Sequence, residues 1–183
     1  MVLEPLVSFF HECGHYLAAT VLGVSAHLHY LHVSYSHDQA THHTRPWITA
    51  AGPCVDALLA IGGFLWLCRL RLGRLDAAPS RTDWLATYFV LCAVTPVAAC
   101  VGLLAHDSTL PDEASLSEQI GFPKWLLPCL LAPLALIMIV AAIRLHPRGY
   151  RLLPFVCAFL GSLVGIVVVG ILLRTVLGSG RFP

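Results

Sequence analysis

Hydrophobic positions fall in five long runs: about Val2 to Gly23, Trp47 to Cys68, Leu85 to Ala105, Trp125 to Leu145 and Leu153 to Leu173. Each approaches the roughly 20 residues that an α-helix needs to cross the hydrocarbon core of a bilayer. The runs are continuous and lack the period-2 alternation of a membrane barrel strand. They predict an all-α polytopic membrane protein with about five transmembrane helices, folded as a single integral membrane domain over 1–183. Between the first two runs, Ala26, Leu28 and Tyr30 alternate with His27 and His29, and Val33 and Tyr35 follow. That stretch reads as a short strand or β-hairpin at the membrane surface. The first run is not read as a signal peptide, because no basic residues precede it and Glu4, His11, Glu12 and His15 interrupt it.

Composition agrees with the pattern. Of 183 residues, 57% are hydrophobic and only 11% charged, and the mean hydropathy is +0.78. A soluble domain carries about 25% charged residues, so ten acids and eleven bases cannot cover one of this size. The lipid bilayer is therefore the expected main solvent. A formal net charge of +1 leaves no electrostatic footprint for nucleic acid. The seven cysteines are scattered through the apolar runs and form no C-x-x-C pair. Neither a disulfide framework nor a zinc ribbon is expected from them.

The connections differ in charge. Residues 24–46 hold six of the ten histidines: His27, His29, His32, His37, His42 and His43. Residues 69–84 carry Arg69, Arg71, Arg74 and Arg81, and residues 144–151 carry Arg144, Arg148 and Arg151. Residues 106–124 are acidic, with Asp107, Asp112, Glu113 and Glu118. Arginine in alternate connections places 69–84 and 144–151 in the cytoplasm with the N-terminus; Arg174 and Arg181 count against that orientation.

The densest chemistry is His11-Glu12-Cys13-Gly14-His15, an H-E-x-x-H sequence inside the first run. Histidines at i and i+4 project from one helical face and can grip one zinc ion together. The glutamate between them can take a proton from the attacking water. Two imidazoles and a carboxylate within a bilayer are costly without a compensating role. Asp56, inside the second run, is either a functional group facing the site or a protonated, hydrogen-bonded helix residue.

With its flanks, Phe9-Phe10-His11-Glu12-Cys13-Gly14-His15-Tyr16-Leu17-Ala18-Ala19 resembles the zinc helix of the site-2 protease family, intramembrane metalloproteases. Thr49-Ala50-Ala51-Gly52-Pro53-Cys54-Val55-Asp56 is similar to that family's A-G-P-x-x-N helix, with Asp56 in place of the asparagine. The order of zinc helix, polar loop with a hairpin, then Gly-Pro helix also matches. The resemblance implies a protease-like core over 1–121, with additional transmembrane helices over 125–173. It also implies a third zinc ligand, an aspartate in an L-D-G-type motif, which this sequence lacks. Asp112, opening a helix that ends near Gly121, is the favoured substitute; Asp107 is the next, with His106 and Asp56 as outside candidates. Asp112 could equally be an ordinary helix N-cap. For either aspartate to meet the histidines, residues 102–116 must dip back into the membrane.

What the resemblance implies is a zinc-dependent (Zn2+) intramembrane endopeptidase in the cell membrane. His11, His15 and Asp112 would bind metal, and Glu12 would be the catalytic base. Its substrate would be a membrane-embedded or membrane-adjacent protein, with selectivity set by the membrane core or a regulatory membrane partner. The alternative is a non-proteolytic metal-binding membrane protein, either a transition-metal transporter or an inactive protease-like binder. The histidine-rich loop suggests that alternative. Gly161 and Gly165 in the fifth run offer a helix-association face.

Overall fold

The computed structural model describes residues 3–29, 32–36, 38–104, 111–153 and 156. Helix α1 (Leu3–Val21) leads into strands β1 (Ala26–Leu28) and β2 (Val33–Tyr35). Helices α2 (Arg45–Arg71), α3 (Arg81–Val90), α4 (Val94–Leu104), α5 (Asp112–Gln119) and α6 (Leu126–Arg144) follow. The strands pair antiparallel, with Ala26 opposite Tyr35 and Leu28 opposite Val33. The alternating stretch is thus a hairpin, its half-buried face formed by Ala26, Leu28, Val33 and Tyr35 and its exposed face by His27 and Ser34.

Three helices are long and apolar enough to cross a membrane: Arg45–Arg71, Arg81–Leu104 and Leu126–Arg144. They cover the second, third and fourth expected spans. The first expected span is a helix but not one of these three, because His11, Glu12 and His15 break its apolar run. The fifth, with Gly161 and Gly165, lies outside the described residues, as do Arg174 and Arg181. Five spans are therefore corrected to three among the described residues.

The third span is broken at Leu91–Ala93 by a 3-10 turn that joins α3 to α4. The cause is Pro96, which has no N–H to give the Cys92 carbonyl one turn back. Thr95 Oγ1 donates to that carbonyl instead, at 3.1 Å, so no backbone acceptor is stranded. Pro53 lies well inside α2 and not in its first turn, where Pro46 sits. At the other end, α5 stops where Gly121 adopts a positive φ of 84° and lets the Phe122 N–H reach Ser117 O.

Packing between the spans is tight because the contacts are small. Ala60 and Leu67 of α2, Ala86 and Val90 of α3, and Ala135, Ile139 and Ala142 of α6 form one buried cluster. Large side chains such as Leu58, Leu65, Val101, Leu134 and Ile137 point outward and are exposed. Helices apolar on both faces suit lipid and not water. Gly14 allows α1 onto α2, since a Cβ there would meet Ala51 O at 2.8 Å and Val55 Cγ2 at 2.9 Å.

The arginine-rich ends of α2, α3 and α6 meet at one end of the bundle. Arg71, fully buried, donates to Leu145 O (3.0 Å), Ala77 O (2.9 Å) and Leu75 O (2.7 Å). Beside it, the buried His146 stacks on Trp84 and hydrogen-bonds Thr87 Oγ1 at 2.7 Å through Nε2. Its Nδ1 is buried and finds no partner among the described residues, so a second ring proton would be stranded. Burial, and then the nearby Arg71 charge, lower its pKa from the ordinary 6.5. Because the folded-state value is depressed, the unfolded chain binds protons first as pH falls. The contribution of His146 is thus fully present above about pH 6.5 and is lost as pH drops through its lowered value. The melting temperature in detergent should fall between pH 7.5 and 5.5, and less steeply for His146→Gln; an unchanged slope would contradict this.

Candidate metal centre

The site is built where α1, α2 and α5 meet. His11 and His15 stand one helical turn apart on α1, their ring centroids 4.8 Å apart. Facing them, α2 presents Ile48, Gly52 and Asp56 at four-residue intervals, a single helical stripe. Helix α5 lies against the first half of α2, tied there by Gln119 Nε2 donating to Thr49 Oγ1 at 3.1 Å. The Leu127 N–H donates to Ser117 Oγ at 3.2 Å and links α5 to α6. Gly52 lies seven positions into α2, so at 1.5 Å per residue the site sits about 10 Å below that helix end. The start of α5 thus brings Asp112 to the histidines alongside the interior of α2 and not at its end.

Three atoms converge there. Asp112 Oδ2 is 2.9 Å from His11 Nε2 and 3.0 Å from His15 Nε2, and the two nitrogens are 3.1 Å apart. The other ring nitrogens decide what this means. His15 Nδ1 is 2.7 Å from the Ile48 carbonyl oxygen, which can only accept, so Nδ1 carries the proton. His11 Nδ1 is 2.9 Å from Asp56 Oδ2 and donates to that carboxylate. In each neutral imidazole Nε2 is then a lone pair. With both rings neutral, two imidazole lone pairs and a carboxylate oxygen point at one another, an arrangement that a shared cation, either a proton or a metal ion, satisfies.

The donor set fits zinc. Ligands held tetrahedrally at about 2.0–2.1 Å from zinc stand about 3.3 Å apart, within a few tenths of an ångström of the separations seen. A carboxylate or backbone carbonyl on the far nitrogen of each histidine is the usual support for a metal-binding imidazole. Both imidazoles are well buried, 16% and 11% exposed at the side chain, whereas Asp112 is 37% exposed. Asp112 is thus the most exposed of the three side chains.

Gly52 makes the convergence possible. A Cβ at that position would lie 2.6 Å from His11 Nε2 and closer still to His15 Nε2. Asp112 is the first residue of α5 and not its N-cap; Pro111 holds that position, with no side-chain cap bond. Asp107 and His106 lie outside the described residues. Glu12 is half-buried, about 100° around α1 from His11, and has no hydrogen-bond partner among the described residues.

Several contributors went unassigned in the sequence reading. Asp56 had two open roles, and it faces the site, its Oδ2 accepting from His11 Nδ1 and lying 3.3 Å from Thr95 Oγ1. Ile48 acts through its carbonyl, which no side-chain motif reveals, although the 48-52-56 spacing was there to be found. Glu113, beside Asp112, is buried with Oε2 unpartnered among the described residues. Burial raises its pKa and favours the neutral acid. Among the described residues, the loop histidines do not form a comparable group. His29 stacks on His32 and hydrogen-bonds Ser34 at 3.0 Å, and His37 lies outside the described residues. Among the described residues only His11, His15 and Asp112 converge as a set of three metal-ligand side chains.

No protein-family model matches the chain, and neither the curated proteins nor the solved structures contain a significant match.

Proposed function

We propose that this chain is a zinc-dependent intramembrane endopeptidase that hydrolyses peptide bonds of membrane-embedded or membrane-adjacent proteins, and that it resembles the site-2 proteases. The observation that carries this reading is the convergence of His11 Nε2, His15 Nε2 and Asp112 Oδ2 within 3.1 Å. These three side chains would hold the metal, which supplies Lewis acidity to the scissile carbonyl. Asp56 and the Ile48 carbonyl keep both imidazoles in the metal-binding tautomer. Glu12 takes the proton of the attacking water and returns it to the leaving amine. Substrate and water would reach the site from the side of Asp112, the most exposed of the three side chains.

A substrate helix must unwind before its carbonyls are accessible. The β1–β2 hairpin, only two strands wide among the described residues, presents an edge on which an extended segment could pair. A transporter would need polar groups spread through several spans, whereas Leu126–Ile143 of α6 carries no charged residue. Selectivity would come from the membrane core or a regulatory partner in the cell membrane.

Metal removal tests the reading. Purified protein should cleave a single-span model substrate in detergent, stop after dialysis against a zinc chelator, and recover on zinc readdition. Cleavage that persists at full rate after verified zinc loss would reject it. Metal uptake into proteoliposomes without any cleavage would favour the transporter.

A further inference from the structure

We propose that Cys100 and Cys129 form a reversible disulfide that closes the chain around the helix carrying Asp112. Cys100 on α4 and Cys129 on α6 already touch, with Sγ atoms 3.9 Å apart although 29 positions separate them in sequence. Ala99 and Ala132 beside them are buried and small, which lets the two helices approach. Among the described residues no other pair of cysteines is in contact. A disulfide demands close Cα atoms and converging Cβ vectors, and thiols in contact across two packed helices are near that arrangement.

Location favours oxidation. Cys100 is one turn before the end of α4 at Leu104, and Cys129 is within the first turn of α6. Arg69, Arg71, Arg81 and Arg144 lie at the opposite ends of the spans. The positive-inside rule puts the arginine end in the cytoplasm and the cysteine pair toward the other face, where disulfides persist. Cys129 is exposed and Cys100 partly so.

The chemistry balances with a small disulfide oxidant such as oxidised glutathione. The Cys129 thiolate attacks it, expelling one glutathione thiolate and forming a mixed disulfide. The Cys100 thiolate then displaces the second glutathione, so two thiols lose two electrons and two protons and the oxidant is reduced to two thiols. The closed loop contains all of α5. Closing it reduces the freedom of the chain that carries Asp112. This consequence rests on the metal-centre reading; the disulfide itself does not.

The test uses the full chain in detergent, equilibrated with oxidised or reduced glutathione, alkylated, and digested without reductant for mass spectrometry. Oxidation should join the peptides containing Cys100 and Cys129, and the joined species should vanish in Cys100→Ser and Cys129→Ser. Zinc release to a chelator should slow by roughly threefold to tenfold on oxidation, with no such change in Cys100→Ser. Both thiols fully alkylated after oxidation, or each joined to a different cysteine, would overturn the proposal without relying on any variant. A joined pair with unchanged zinc release would overturn the coupling to the metal. No zinc in either state would reject the metal centre while leaving the disulfide intact.

Discussion

Glu12→Gln should purify with its zinc in place and lose cleavage by about 1,000-fold or more. Glutamine has nearly the same size as glutamate, so α1 and its packing on α2 should be undisturbed. Glu12 is bonded to neither imidazole: His11 Nδ1 is held by Asp56 and His15 Nδ1 by Ile48 O. Zinc affinity should therefore change little. What disappears is the only carboxylate within the H-E-x-x-H turn able to accept a proton from water and pass it on. Parallel measurements of metal content and turnover on a single-span substrate separate the two effects. Full turnover in the variant would reject Glu12 as the base, and loss of zinc would show that it holds the metal.

Gly52→Ala should abolish zinc binding, lowering affinity by about 100-fold or more, while leaving a folded helical protein. Alanine is a better helix former than glycine by about 1 kcal/mol, so α2 itself should not suffer. The new methyl carbon, however, would lie 2.6 Å from His11 Nε2 and nearer still to His15 Nε2. Both imidazoles must turn away, or α1 must move off α2. Either response breaks the bonds from Asp56 and Ile48 O that set the tautomers. Circular dichroism should be unchanged while zinc content drops to background. Retention of wild-type zinc would show that the helices do not approach as closely as Gly52 permits.

Much of this arrangement was legible in the sequence for identifiable reasons. His11, Glu12 and His15 announce themselves because helical geometry puts i and i+4 on one face. The hairpin was visible in alternation from Ala26 to Tyr35, and α5 in the interval between Pro111 and Gly121. Asp112 was favoured over Asp107 because it opens a helix, but the pattern left both open, since either could return toward α1 depending on how the chain leaves α4. Asp56 was ambiguous because its meaning lies in its partner, the His11 Nδ1 proton. Ile48 and Gly52 were hidden because one works through a backbone carbonyl and the other through having no side chain. The first expected span was over-read: its length suits a bilayer, but the polar groups that give it chemistry also lower its hydropathy. The contact between Cys100 and Cys129 depends on how α4 crosses α6, which no local pattern encodes.

Zinc content of purified wild type, Asp107→Ala and Asp112→Ala tests the metal centre most directly. Wild type and Asp107→Ala should hold about one zinc per chain, and Asp112→Ala should lose it. Wild-type zinc occupancy in Asp112→Ala would contradict the three-residue site.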